Sequence, residues 1–159
     1  MGARKLRIAL LAASVLLVGC DHYTKHVAKS ALAGTPPHTL VAGMLDLDYT
    51  ENTDSGFGLL HMVPVTVRTV VLTSLQLIAG VAFLLLCLRR GIPRVARLAL
   101  LLISAGAIGN GLDRLVRGYV VDFVHIHHWP VFNVADTYIT IGAILLVVGL
   151  RFRQHTTAP

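Results

Sequence analysis

Charge is what this sequence has least of. Only 14% of its 159 residues are Asp, Glu, Lys or Arg, against 55% hydrophobic residues, and the mean hydropathy is +0.71. A soluble domain carries roughly 25% charged residues, so this chain lacks the polar surface needed to coat a water-soluble globule. Cysteine is scarce too. Cys20 and Cys87 both sit in apolar runs, expected to belong to spans of opposite direction, which argues against a disulfide framework. No Gly-rich phosphate loop, Gly-x-Ser-x-Gly elbow or His-Glu-x-x-His helix occurs, so nucleotide, serine-hydrolase and zincin chemistries lack their signatures. Ser104 lies within an apolar stretch with no histidine at its depth. No repeat, low-complexity segment or linker divides residues 1–159, which read as a single membrane domain.

The charges that are present are sorted by position. Basic residues cluster at Arg4, Lys5 and Arg7, at Arg89, Arg90, Arg94 and Arg97, and at Arg151 and Arg153. Each cluster abuts an apolar stretch and none is interleaved with aromatics, which excludes a nucleic-acid surface and marks membrane topology. About 20 apolar residues are needed to cross the hydrocarbon. This predicts four spans near residues 6–28, 68–88, 95–112 and 134–151, the first crossing only if its helix continues beyond Asp21. Basic clusters then fall on the cytoplasmic side and all eight acidic residues on the outer side or at outer helix ends. The expected architecture is a membrane all-α protein with a small β part: four transmembrane helices, N-in/C-in, with outer segments near residues 29–67 and 113–133. Leu40 to Tyr49 partly alternates and predicts short β structure at the membrane surface, an extracytoplasmic cradle. Leu17-Val18-Gly19-Cys20 also matches a lipoprotein signal-peptide box, but cleavage there would remove most of the helix that carries Asp21. Residues 1–19 are therefore expected to stay as the first span.

Ionisable residues near the bilayer are costly and default to functional candidates. They concentrate in Gly109-Asn110-Gly111-Leu112-Asp113-Arg114, in Val120-Val121-Asp122-Phe123 and in Phe132-Asn133-Val134-Ala135-Asp136. Asn110, Asp113 and Arg114 share one helix face, as do Asn133, Asp136 and Thr140. Asp122 and Asp136 would converge if the last two spans are antiparallel neighbours. Two aspartates in one low-dielectric site cannot easily both ionise, so one keeps a proton. That supplies the base and acid an aspartyl peptidase needs. Simpler roles compete. Asn133 with Asp136 is also an N-cap with a first-turn carboxylate, Asp113 beside Arg114 reads as a local ion pair, and Asp122 as a strand-end or turn residue. His125, His127 and His128, with His38 and His61 on the same side, form a rival cluster, but interfacial histidines explain it better than a metal site. Trp129, Tyr119 and Tyr138 fit an interfacial aromatic belt.

The ordered set Gly109-Asn110-x-x-Asp113-Arg114, Val121-Asp122-Phe123 and Phe132-Asn133-x-Ala135-Asp136 resembles the signature of lipoprotein signal peptidase (signal peptidase II). Asp21-x-x-Thr24-Lys25 is similar to that family's first motif, and Asn52 with Phe57 to its outer asparagine motif. The resemblance implies a bacterial inner-membrane aspartyl endopeptidase with its active site at the outer face. It would remove signal peptides from prolipoproteins by cutting N-terminal to the diacylglyceryl-cysteine. It implies Asp122 and Asp136, rather than Asp113, as the catalytic pair. Asn110, Asp113, Arg114 and Asn133 would support the dyad or the substrate, and Asp21, Lys25 and Asn52 would help build the outer rim. Its partners would be diacylglyceryl-modified prolipoproteins and membrane lipid, with no nucleic acid, cofactor or metal, and the chain is expected to act as a monomer. One motif departs: the family's Asn-x-Gly-Ala-Ala-Phe is here Asn52-Thr53-Asp54-Ser55-Gly56-Phe57. That change motivates an alternative, a diverged non-catalytic relative that binds lipidated precursors.

Overall fold

The computed structural model describes residues 2–54 and 62–156. Ser55, Gly56, Phe57 and His61 lie outside the described residues. The elements run α1 (Ala3–Leu32), β1 (His38–Val41), β2 (Leu45–Asn52), α2 (Val65–Cys87), α3 (Arg94–Arg117), β3 (Val120–Ile126) and α4 (Val134–Thr156). The chain is thus mostly helical, with one three-stranded antiparallel sheet of order β1-β2-β3. The first helix does continue through Asp21: its 30 residues extend ~45 Å at 1.5 Å per residue.

Among the described residues, two helices are long and apolar enough to cross a membrane, α2 with hydropathy 2.4 and α3 with 1.6, and α4 holds a shorter apolar stretch over Val134–Gly149. Their surroundings differ. Only 17% of the apolar window of α2 is buried, against 56% of that of α3, so α3 is the central helix, packed against α1, α2 and α4. The large side chains of the outer helices point away from it: Val15 and Leu16 on α1, Val70, Leu75 and Ile78 on α2, and Ile144 and Val147 on α4 are all exposed. A surface this continuously aliphatic is a liability in water and is matched by hydrocarbon. The protein is a membrane protein.

Close approach between helices depends on small residues. Ala99, Ala105, Gly106, Ala107, Gly109 and Gly111 are buried along α3. A methyl added at Gly106 would run into the Ala135 carbonyl oxygen and lie 2.7 Å from Ile139 Cγ1, and one at Gly142 would lie 2.8 Å from the Ala99 carbonyl oxygen. The α3–α4 seam is therefore backbone against backbone.

The third helix runs to Arg117, more than a turn past the span expected to close at residue 112, because Gly118 at φ 81° supplies the left-handed cap and returns its N–H to the Arg114 carbonyl. The chain then enters β3 directly. Thr50 pairs with Asp122 and Asn52 with Val120, and the sheet packs against α1 and α3. Phe132 returns to β3, accepting from Phe123 and Val124 N–H and donating to the Val124 carbonyl. That closure places Asn133, the start of α4, beside Asp122.

Gly106→Ala and Gly142→Ala are each expected to destabilise the protein by about 1–3 kcal/mol through overpacking of the seam. Gly19→Ala, where an added methyl meets nothing within 4 Å, should not lower the unfolding midpoint. Thermal unfolding of the three variants in detergent measures the contrast.

Candidate active site

The start of α4 is built by local chemistry. Asn133 caps the helix, its Oδ1 accepting from the Asp136 N–H at 3.0 Å, while Asp136 Oδ2 accepts from the Asn133 N–H at 3.2 Å. This reciprocal pair is a capping box with aspartate in the Glu/Gln position. The capping role expected for these residues is therefore present, and it does not compete with a functional one. The cap leaves the Asn133 amide nitrogen free to donate to Asp122 Oδ1 at 2.6 Å and Asn110 Oδ1 at 3.2 Å.

Asn110, on α3, is the second bridge. Its Nδ2 donates to Asp136 Oδ1 at 2.7 Å, and its Oδ1 also accepts from Lys25 Nζ at 2.8 Å. Asn52, at the end of β2, donates to Asp122 Oδ2 at 2.8 Å. Their reach follows from the register: opposite Val120, Asn52 is the diagonal neighbour of Asp122 on the antiparallel pair. Asp122 is thus held by Asn52 on one oxygen and Asn133 on the other. Burial, then the negative charge of Asp136, push Asp122 up to about 6, although both amide donors favour its charged form.

Asp122 and Asp136 line one cavity of about 280 Å³ with Asn52, Asn110, Arg114 and Thr140. Trp129 and Phe132, together with Asp136 and Thr140, also line an adjoining, more apolar groove of about 480 Å³ that reaches Ile126 and Ile141.

Lys25 is not at the rim. Together with Asp21 it is completely buried behind Asn110, where its ammonium meets Asp21 Oδ2 at 2.7 Å and Asp113 Oδ2 at 2.9 Å as well as the Asn110 oxygen. The expectation that Asp21 and Lys25 form an outer rim is corrected by this burial: both are single-helix residues whose charges satisfy each other at i, i+4. The other oxygen of Asp21 accepts from the Ala135 N–H at 2.9 Å, a second anchor for the start of α4. Asp113 stands with this buried cluster and apart from the cavity. Its expected local pair with Arg114 is not formed; Arg117 at i+4 takes that place at 2.6 Å, and His22 Nδ1 lies 3.4 Å away.

Arg114 turns instead toward α2 and the loop after β2, donating to Gln76 Oε1 at 2.8 Å and to the Asp54 carbonyl at 2.6 Å. Asp54 is tied down on every side. Its N–H donates to Asn52 Oδ1 at 2.9 Å, and its carboxylate pairs with Arg68 Nη1 at 2.9 Å, while Arg68 Nη2 donates to Thr53 Oγ1 at 3.1 Å. Gln76 and Arg68 were not anticipated. The signal was present: each is a polar interruption of the apolar run Val65–Cys87, and such interruptions are costly unless partnered. His125 and His127 stack at 5.7 Å, with His127 Nε2 3.4 Å from Asp46, and His127 shares the apolar groove with Asp136.

Aliphatic helices surround the cavity that Asp122 and Asp136 share, the arrangement of a membrane protein with a polar site, and known structures share its fold. A solved bacterial membrane enzyme at 2.3 Å superposes with a TM-score of 0.82 at 23% identity, covering 94% of this chain and 92% of its own. A second, at 1.9 Å, gives 0.71 at 27% identity over 89% and 92%. The family of signal peptidase (SPase) II matches residues 13–152. Lipoprotein signal peptidases of Chlorobium phaeobacteroides (35% identity, 90% of this chain and 95% of that one) and Syntrophus aciditrophicus (33%, 95% and 97%) are similar along their whole length. That of Francisella tularensis subsp. novicida is 31% identical over 94% of both. This chain belongs to the lipoprotein signal peptidase family, and it is a peptidase.

Lys25→Met leaves two buried carboxylates without their shared cation, and breaking a buried pair in this way costs about 3–5 kcal/mol. Denaturation of the detergent-solubilised variant should show the loss, and Lys25→Met with Asp21→Asn should recover part of it. An unchanged midpoint in Lys25→Met would remove this cluster as the tie between α1, α3 and α4.

Proposed function

We propose that this protein is an aspartyl endopeptidase that removes signal peptides from prolipoproteins, cutting N-terminal to the diacylglyceryl-cysteine, with Asp122 and Asp136 as its dyad. The carrying observation is that the two carboxylates share one cavity and are bridged by the same amides, Asn133 to Asp122 and to Asn110, and Asn110 to Asp136. Asn110 and Asn133 orient the dyad, Asn52 holds the second oxygen of Asp122, and Arg114 presents a cation to the cavity wall. Asp21, Lys25 and Asp113 act behind it, fixing the helices that carry these groups.

In this reading the pair holds one proton. The ionised carboxylate takes a proton from water as the water oxygen attacks the scissile carbonyl carbon, and the protonated one gives its proton to the carbonyl oxygen. The tetrahedral diol then collapses: the first carboxyl returns its proton to the leaving amine as the C–N bond breaks, and the second carboxylate takes one hydroxyl proton as the new carbonyl forms, which restores the singly protonated pair. The apolar groove beside Trp129 and Phe132 seats the acyl chains of the lipidated cysteine. Four helices cross the inner membrane with both ends of the bundle's basic termini cytoplasmic, which puts the sheet and the dyad at the outer face. All of residues 1–159 form one domain.

Asp122→Asn and Asp136→Asn are each expected to abolish cleavage of a diacylglyceryl peptide, a loss of at least about 10³-fold, while insertion and the unfolding midpoint persist. Near-normal cleavage by either variant refutes the dyad, and no cleavage by the wild-type protein favours a non-catalytic binder of lipidated precursors.

The pH dependence follows from Asp122. With its carboxyl raised to about 6, the shared proton is present below that pH and lost as pH rises through it, so kcat/KM should fall on the alkaline side. The Asn52 amide favours the charged form of Asp122. Removing it in Asn52→Ala should therefore raise the carboxyl further and move the alkaline limb to higher pH. A limb that stays fixed or moves down contradicts this role of Asn52.

A further inference from the structure

At the end of the bundle opposite the dyad, a cavity of about 250 Å³ opens between the first turns of α1, the α2–α3 turn and the first turn of α3. It is lined by Arg7, Arg89, Arg90 and Arg97 over a floor that includes Leu10 and Cys87. No carboxylate balances these charges. Among the described residues none of the four forms an ion pair, and the nearest acid on α1, Asp21, is fourteen residues from Arg7, ~21 Å along the helix.

Their bonds go to carbonyl oxygens instead. Arg7 Nε donates to Leu88 O, and Arg97 donates from Nε to Cys87 O and from Nη2 to Arg89 O, each at 3.3 Å. These contacts satisfy the open C-terminal end of α2 and fix two guanidinium groups without neutralising them, leaving donors of each fork unused. The first turn of α3 holds Arg94 and Arg97 and no acid, although a helix N-terminus favours negative charge. A topology signal needs positive charge on this side. It does not need three separate segments to fold their arginines around one cavity. Guanidinium forks match phosphate oxygens bidentately. Across the α2–α3 turn, Leu86, Ile92, Pro93 and Val95 line an apolar groove of about 840 Å³, a surface suited to acyl chains.

We propose that the Arg7–Arg89–Arg90–Arg97 cavity binds a phosphate group, presented by the headgroup of an anionic phospholipid on the cytoplasmic side. The site is separate from the dyad and its test does not depend on cleavage. The full chain is reconstituted in phosphatidylcholine vesicles or in an equal mixture of phosphatidylcholine and phosphatidylglycerol, and its unfolding midpoint and its retention of phosphatidylglycerol in native mass spectra are compared. Arg89→Ala with Arg90→Ala removes two exposed side chains that make no hydrogen bond or ion pair among the described residues. Arg4→Ala with Lys5→Ala removes the same charge outside the cavity. Diffuse attraction to an anionic surface acts per charge and would weaken both pairs alike. A site predicts that the Arg89/Arg90 pair loses phosphatidylglycerol affinity about tenfold more than its charge-matched control, with peptide cleavage in neutral detergent unchanged. Inorganic phosphate added to phosphatidylcholine vesicles separates the sources: protection equal to that by phosphatidylglycerol assigns a soluble phosphate, and protection by the lipid alone assigns the headgroup. Equal losses in the two variant pairs, or no stabilisation by either phosphate source, overturns the proposal.

Discussion

A single buried ammonium holds this structure together. Lys25 is fully enclosed, and an uncompensated charge there would be prohibitive, so the fold has to bring it acceptors from other helices. It does so with Asp21 on its own helix and with Asp113 and Asn110 on α3. Asp21 then extends the tie to α4 by accepting from the Ala135 backbone. Three helices meet at one charge, at a level where lateral hydrophobic attraction is weak because lipid is as apolar as the side chains. The polar cluster therefore specifies register where apolar packing specifies little. Each partner satisfies another, and sliding α1 by one turn would strand two carboxylates and a cation at once.

From that anchor the candidate site is assembled by groups that each serve the fold as well. Asn133 caps α4 and binds Asp122 with what the cap leaves unused. Asn110 accepts from Lys25 and donates to Asp136, so the oxygen facing the buried cation and the nitrogen facing the cavity belong to one rigid amide. The glycines and alanines of α3 set the distance: without the backbone contact of Gly106 against Ala135, α4 would stand off and the Asn110–Asp136 bond at 2.7 Å would open. Stability and positioning are not separable here, and the residues near Asp122 and Asp136 have little freedom to drift.

Much of this was legible in the sequence because the bilayer imposes coarse, one-dimensional rules. Apolar run lengths and the basic clusters that flank them marked the helices, and alternation near Leu40 to Tyr49 marked short β structure. The face shared by Asn110 and Asp113 followed from helical spacing. What spacing could not supply was direction across the bundle. Asp113 and Asn110 both point inward, but one meets Lys25 and Arg117 while the other reaches Asp136, a difference set by where α1 packs. The family resemblance implied a rim position for Lys25, and only its three partners from two helices make its burial tolerable. The strand carrying Asp122 was half visible. Asp122 read as a strand-end or turn residue, but the bond that ties it to Asn52 on β2 spans 70 residues of sequence, and no local pattern encodes it.

The departure after Asn52 is where sequence comparison alone invites the wrong conclusion. Substituting an aspartate for a small residue in an outer motif suggests a loosened or altered loop. Here the Asp54 carboxylate is met by Arg68, its N–H by Asn52 and its carbonyl by Arg114. Arg68 and Asp54 are both largely enclosed, so this pair carries a desolvation cost that only its hydrogen bonds offset, and that cost argues for a specific arrangement over a generic surface contact. The same Asn52 that receives the Asp54 N–H on its oxygen gives its nitrogen to Asp122. Rotation of that amide is thereby fixed from both ends. A flexible backbone position is exchanged for a charged latch between the root of the loop, α2 and α3, and the latch holds a donor on Asp122. The wall of the cavity at Asn52 is consequently the rigid one.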